Sequence, residues 1–149
     1  MPRYFTLEEA QQLLPAVQQW LRSAVEARHL LAEADAGMME LRRHVIAMGG
    51  VRPDPARALV LKARRDSAVE EVNRSIEAIH GLGVQVKDLD SGLIDFLTLY
   101  RGREVLLCFR LGEPGIAYWH ELDSGFRGRK PIDRDFIDHH EGGDTESAG

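Results

Sequence analysis

The chain has one cysteine, Cys108, in 149 residues. No disulfide can form within it and no cysteine-rich zinc knuckle is possible, so a reducing, cytoplasmic setting is expected. Apolar runs are short: none approaches the roughly 20 residues of a membrane span, and the opening MPRYFTLEEAQQ lacks the apolar core of a signal peptide. Catalytic signatures are missing too. There is no GxSxG, P-loop, GxGxxG or HExxH; Gly112 and Gly115 belong to a turn, and Gly81 and Gly83 to a helix end. The net charge of -5 disfavours general affinity for nucleic acid but leaves room for a local basic patch.

What is present is a helical scaffold followed by strands. Residues 6–48 read as one long helix. Thr6 with Glu9 forms a capping box, and Glu8 adds a favourable charge in the first turn. Ala10, Val17, Ala24, Leu31, Met38 and Val45 recur seven apart, a coiled-coil-like seam. Pro15 is expected to kink the helix, and Gly49-Gly50 to end it. A second helix is expected from Asp54, as N-cap, and Pro55 to His80, with Ala58, Leu61, Val69, Val72, Ile76 and Ile79 inward. The short connection implies an antiparallel hairpin over about 6–80. At about 1.5 Å per residue the first helix is the longer by roughly 20 Å, so Leu7 to Trp20 overhangs and needs another surface to cover it.

From Val84 the period changes from helical to alternating. VQVKDLD, LIDFLTLY, EVLLCFR and IAYWHEL read as four strands of an antiparallel β-meander over about 84–123. The overall expectation is α+β: a long antiparallel helical hairpin with a small C-terminal sheet at its open end. Residues 1–138 are read as a single domain and 139–149 as a disordered tail. Tyr4, Phe5 and Trp20 are expected to pack against the sheet.

The candidate site lies at Trp119-His120-Glu121. Pairing around the LGEPG turn sets Arg110 opposite Ile116, Cys108 opposite Tyr118 and Leu106 opposite His120. Strand alternation then puts His120 with Tyr118 on one face and Trp119 with Glu121 on the other. His120 and Glu121 are therefore not expected to chelate one ion together unless the strand ends or bulges there. A divalent metal would need one of them to meet Asp88, Asp90 or Asp95. Arg110 and Trp119 are the candidate small-ligand contacts, although Trp119 shares its face with Leu107 and Phe109 and also reads as core. The plainer reading makes His120 and Glu121 ends of an exposed strand paired with Arg110, Lys87 or Arg127. The plainer reading of KDLDSG is an acidic turn. Cys108, in an apolar strand, reads as a buried thiol that His120 approaches across the hairpin.

The tip of the hairpin is basic. Between Glu40 and Arg65 seven arginines and lysines face two acids, Glu40 and Asp54, a net of five positive charges. The absence of aromatics among them argues against single-stranded nucleic acid, and a solvated helix face explains the run as well.

YFTLEEAQQLLP, LGVQVKDLDSGLIDF and GREVLLCFRLGEPGIAYWHELDSGFRGRKPID resemble the bacterial domain-of-unknown-function family numbered 2203, from Tyr4 to about Asp133. The resemblance implies a small bacterial cytoplasmic protein and no established activity. The leading functional expectation is a non-enzymatic binding or assembly module, a homodimer formed through the hairpin, with an unidentified protein as further partner. The alternative is a divalent-metal or small-ligand site on the meander. Contact of the basic tip with nucleic acid ranks below both, and no membrane association is expected.

Overall fold

The computed structural model describes residues 3–50 and 55–144. A short strand, β1 (Arg3–Tyr4), precedes helix α1 (Leu7–Ala47). The cap of α1 is reciprocal: the Glu9 amide donates to the Thr6 hydroxyl at 3.1 Å and the Thr6 amide to the Glu9 carboxylate at 3.0 Å. This satisfies two of the amides that a helix start leaves open. The helix runs on through Pro15 and ends at Met48, where Gly49 and Gly50 take φ of 76° and 90°, the left-handed conformation that glycine adopts without a side-chain clash. Helix α2 (Pro55–Gly81) returns antiparallel to it. The N-cap expected at Asp54 lies outside the described residues.

The expected seven-residue seam drifts. Buried positions on α1 are Ala10, Leu14, Val17, Leu21, Ala24, Ala27 and Ala34, whereas Leu31, Met38 and Val45 are only half-buried. A straight helix turns by 3.6 rather than 3.5 residues, so the buried stripe walks away from a strict heptad.

Four strands follow as an antiparallel meander: β2 (Gln85–Asp88), β3 (Leu93–Tyr100), β4 (Arg103–Arg110) and β5 (Tyr118–Glu121). β6 (Lys130–Pro131) continues the sheet beyond β5. Ile94 and Phe96 of β3, Val105, Leu107 and Phe109 of β4, and Trp119 of β5 form one core with Phe5, Leu14, Val17, Leu21 and Ile79. The overhanging start of α1 is thus covered by the sheet. β3 and β4 are buried on both faces over residues 94–98 and 105–109, which is why they read as near-continuous apolar runs. The second face carries Asp95, Leu97, Leu106, Cys108 and His120, with Tyr4 packed on Leu97 and Leu106.

The register between β4 and β5 sets Leu106 opposite His120 and Cys108 opposite Tyr118. The ladder stops short of the expected Arg110–Ile116 pair. The Glu113 carboxylate accepts from the Arg110 amide at 2.6 Å. Gln11 of α1 takes both backbone groups of Ile116 at 3.3 Å.

The described part of the expected tail, residues 139–144, carries secondary structure that continues from the segment before it. Asp133 caps α3 (Arg134–His139), accepting from the Phe136 amide at 2.9 Å. β7 (His140–Glu141) pairs with β3, and β8 (Gly143–Asp144) with β1. Phe136 is fully buried against Trp119 and Tyr100. His140 stacks on Phe136 and accepts from the Leu7 amide at 2.9 Å, satisfying a further open donor of α1. A six-residue helix is too short to leave a periodic signal, so one buried aromatic ring decides the order of this segment. Residues 145–149 of the expected tail lie outside the described residues.

Candidate functional site

The site is built by strand register. Asp95 on β3 stands directly opposite Cys108 on β4. His120 on β5 faces Leu106, two residues before Cys108 on β4, so its ring lies diagonal to Cys108 on the same face. Because side chains alternate along a strand, all three point away from the helices, into the second face of the sheet. Asp95, Cys108 and His120 are 2%, 2% and 3% exposed. One potential ligand atom from each lies within 4.8 Å of the other two.

His120 is held at both nitrogens. Its Nδ1 lies 2.7 Å from the Glu121 carbonyl and its Nε2 lies 3.1 Å from Asp95 Oδ1. A carbonyl only accepts, so Nδ1 carries a proton and donates it to Glu121. Nε2 faces Asp95 Oδ1, and one proton is shared in that contact. Burial raises the Asp95 pKa above its ordinary value, while the charge and hydrogen bond of His120 and the charge of Lys87 pull it back. Burial, with the charge of Asp95, pushes the Cys108 thiol up to about 12. A thiol held neutral in this way is a poor nucleophile, and the geometry does not favour cysteine catalysis.

Beside the trio lies a pocket of about 310 Å³, walled by Lys87, Leu93, Leu122, Asp123, Ser124 and Phe126. The loop after β5 forms its outer wall. That loop is pinned by Arg129, whose guanidinium makes two hydrogen bonds to Glu113 at 2.9 and 3.0 Å. The same guanidinium lies over the rings of Tyr118 and Phe126 at 4.1 and 4.2 Å and reaches Cys108 Sγ at 4.0 Å.

Of the residues singled out by sequence, the fold brings Asp95 and His120 together and keeps the others apart. Glu121 turns to Arg103 and Lys130, at 3.0 and 3.7 Å. Asp88 accepts from Ser91 at 2.6 Å and from the Asp90 amide at 3.1 Å, closing the turn after β2. The Ser91 hydrogen bond, with that of the Asp90 amide, lowers the Asp88 pKa. Asp90 pairs with Arg28 at 3.4 Å. Arg110 is exposed, over the Phe126 ring at 5.4 Å. Trp119 is 7% exposed and belongs to the core, beneath Lys130. The member that sequence reasoning set aside is Cys108. The β3–β4 register, which places Asp95 against it, was the missing signal.

Among the described residues no helix is long and apolar enough to cross a membrane. A family model described as an uncharacterized conserved protein matches residues 3–132. No curated protein and no solved structure matches the chain.

Proposed function

The chain belongs to the DUF2203 family of uncharacterized conserved proteins, and we propose that it binds a divalent metal ion of the zinc class through Asp95, Cys108 and His120. The observation that carries this reading is a carboxylate oxygen, a thiol sulfur and an imidazole nitrogen, all buried and within 4.8 Å of one another. Ligand atoms on a tetrahedral zinc ion stand about 3.5 Å apart, so the trio closes on the metal by small side-chain movements. The tautomer suits the task. With Nδ1–H donating to the Glu121 carbonyl, Nε2 is the ligand atom once the proton it shares with Asp95 leaves, the arrangement typical of a metal-bound histidine. Three protein ligands beside a pocket leave a fourth position for water or a small ligand. Metal capture displaces the thiol proton and the proton shared by Asp95 and His120.

Elemental analysis after mild purification tests the reading. One equivalent of metal per chain is expected, lost in Cys108→Ser and in His120→Ala. Less than about one-tenth equivalent, with no thermal shift on adding zinc, manganese or nickel, removes it.

A second, compatible reading is an assembly module that self-associates through the hairpin. Leu30, Met39, Ile46, Met48, Leu59 and Val60 are all 45% exposed or more. Of these, Leu30 lines the groove between the two helices, the surface that association covers.

A further inference from the structure

The distal hairpin is thinly packed. Beyond Ala27 the buried residue on α1 is Ala34, and before Ser75 those on α2 are Leu61 and Ala68. Two of these three are alanine, and Leu61 fills the space left by Gly37, where an added Cβ would lie 3.0 Å from its Cδ2. A groove of about 780 Å³ runs along this stretch between the two helices. Leu30, 51% exposed, lies on its wall. A two-helix hairpin with so little between its helices lacks the third and fourth helices that complete a bundle core.

The charges along the groove are sorted by end. Asp35 and Arg65 pair across the helices at 2.9 Å, which sets the level of one helix against the other. Arg64 therefore lies about six residues from Leu30 toward the hairpin tip, roughly 9 Å along the axis, and Glu26 four residues from Leu30 toward the sheet, roughly 6 Å. Both line the groove and both are exposed. We propose that the groove is occupied by the hairpin of a second copy of this chain, antiparallel to the first, on a two-fold axis near Leu30. That axis sets Arg64 of each copy against Glu26 of the other, as an isologous contact requires. Parallel pairing sets Arg64 on Arg64 and Glu26 on Glu26 and gains no opposite-charge contact, whereas the antiparallel pair gains Arg64 on Glu26 twice, against the approach of Glu33 in each copy to Glu71 of the other. The product is a four-helix bundle flanked by the two sheets. The inference rests on the assembly reading and is independent of the metal site.

Sedimentation of the full chain from about 1 to about 200 µM tests it, with circular dichroism to verify folding. A dimer is expected. Arg64→Glu and Glu26→Arg each weaken it by about tenfold or more at low salt, and the double swap restores it. A monomer throughout overturns both this arrangement and the assembly reading. A dimer that is indifferent to the single swaps, or that the double swap fails to restore, overturns the antiparallel groove alone.

Discussion

Replacing His120 with alanine probes the site with and without metal. His120 is 3% exposed, and its two ring nitrogens meet Glu121 O at 2.7 Å and Asp95 Oδ1 at 3.1 Å. In His120→Ala the Glu121 carbonyl still accepts from Ser124, by both its amide and its hydroxyl at 3.3 Å. That end of the deletion costs little. Asp95 is the costly end: it is 2% exposed and loses its opposite number. Removing one partner of a buried pair costs about 3–5 kcal/mol. This is a large part of the 5–15 kcal/mol, roughly, by which domains are stable. With a urea m-value of about 2 kcal/mol/M, the midpoint falls by about 2 M.

The same reasoning predicts that the double variant Asp95→Leu/His120→Leu is more stable than His120→Ala, because it leaves no unpaired polar group behind. Adding zinc at about 100 times its Kd stabilises the parent chain by about 2.7 kcal/mol, and His120→Ala by much less. Urea unfolding followed by circular dichroism, with zinc or with chelator, reads all of this. A His120→Ala unfolding free energy within about 0.5 kcal/mol of the parent's refutes the buried-pair argument. Equal stabilisation of both proteins by zinc refutes the metal assignment.

Other consequences are open to the same measurement. Burial raises the Asp95 pKa above its ordinary 3.8, so the folded chain holds that proton to higher pH than the unfolded chain does. The stability contributed is fully present below about pH 3.8 and is lost as the pH rises through the folded value. The stability of the metal-free parent minus that of Asp95→Asn is expected to fall with pH across this window; a flat or rising difference contradicts it. Glu113→Ala leaves Arg129 unpaired between Tyr118 and Phe126 and is expected to cost about 2 kcal/mol, whereas Glu113→Gln, which keeps one acceptor, costs about half as much. His140→Ala removes the acceptor for the Leu7 amide and a ring stacked on Phe136, at a cost of about 2 kcal/mol; a loss below about 0.5 kcal/mol would show that the C-terminal segment docks without it.

The sequence by itself determined the elements and their class. The Thr6–Glu9 capping box, the glycines at 49 and 50 and the switch to alternation after Val84 are local signals, each read within a few residues of where it acts. They sufficed for the helical hairpin, the meander and even the β4–β5 register, because a short turn leaves few alternative pairings. Tertiary structure decided what lies outside that range. Drift of the helical stripe depends on the real turn angle summed over many turns. The order of the C-terminal segment depends on Phe136 reaching Trp119 across the sheet.

The site depended on distance in the chain most of all. Asp95 and His120 were legible as candidates, but Cys108 looked like a plain core residue until the β3–β4 ladder set it against a carboxylate. Glu121, Asp88 and Asp90 carry the same chemistry as Asp95. Cations and turn hydrogen bonds that only the folded chain brings to them hold these three apart from the trio. Residue type says which groups can hold a proton or a metal. Which of them are buried together is set by strand register, a long-range property that no local pattern encodes.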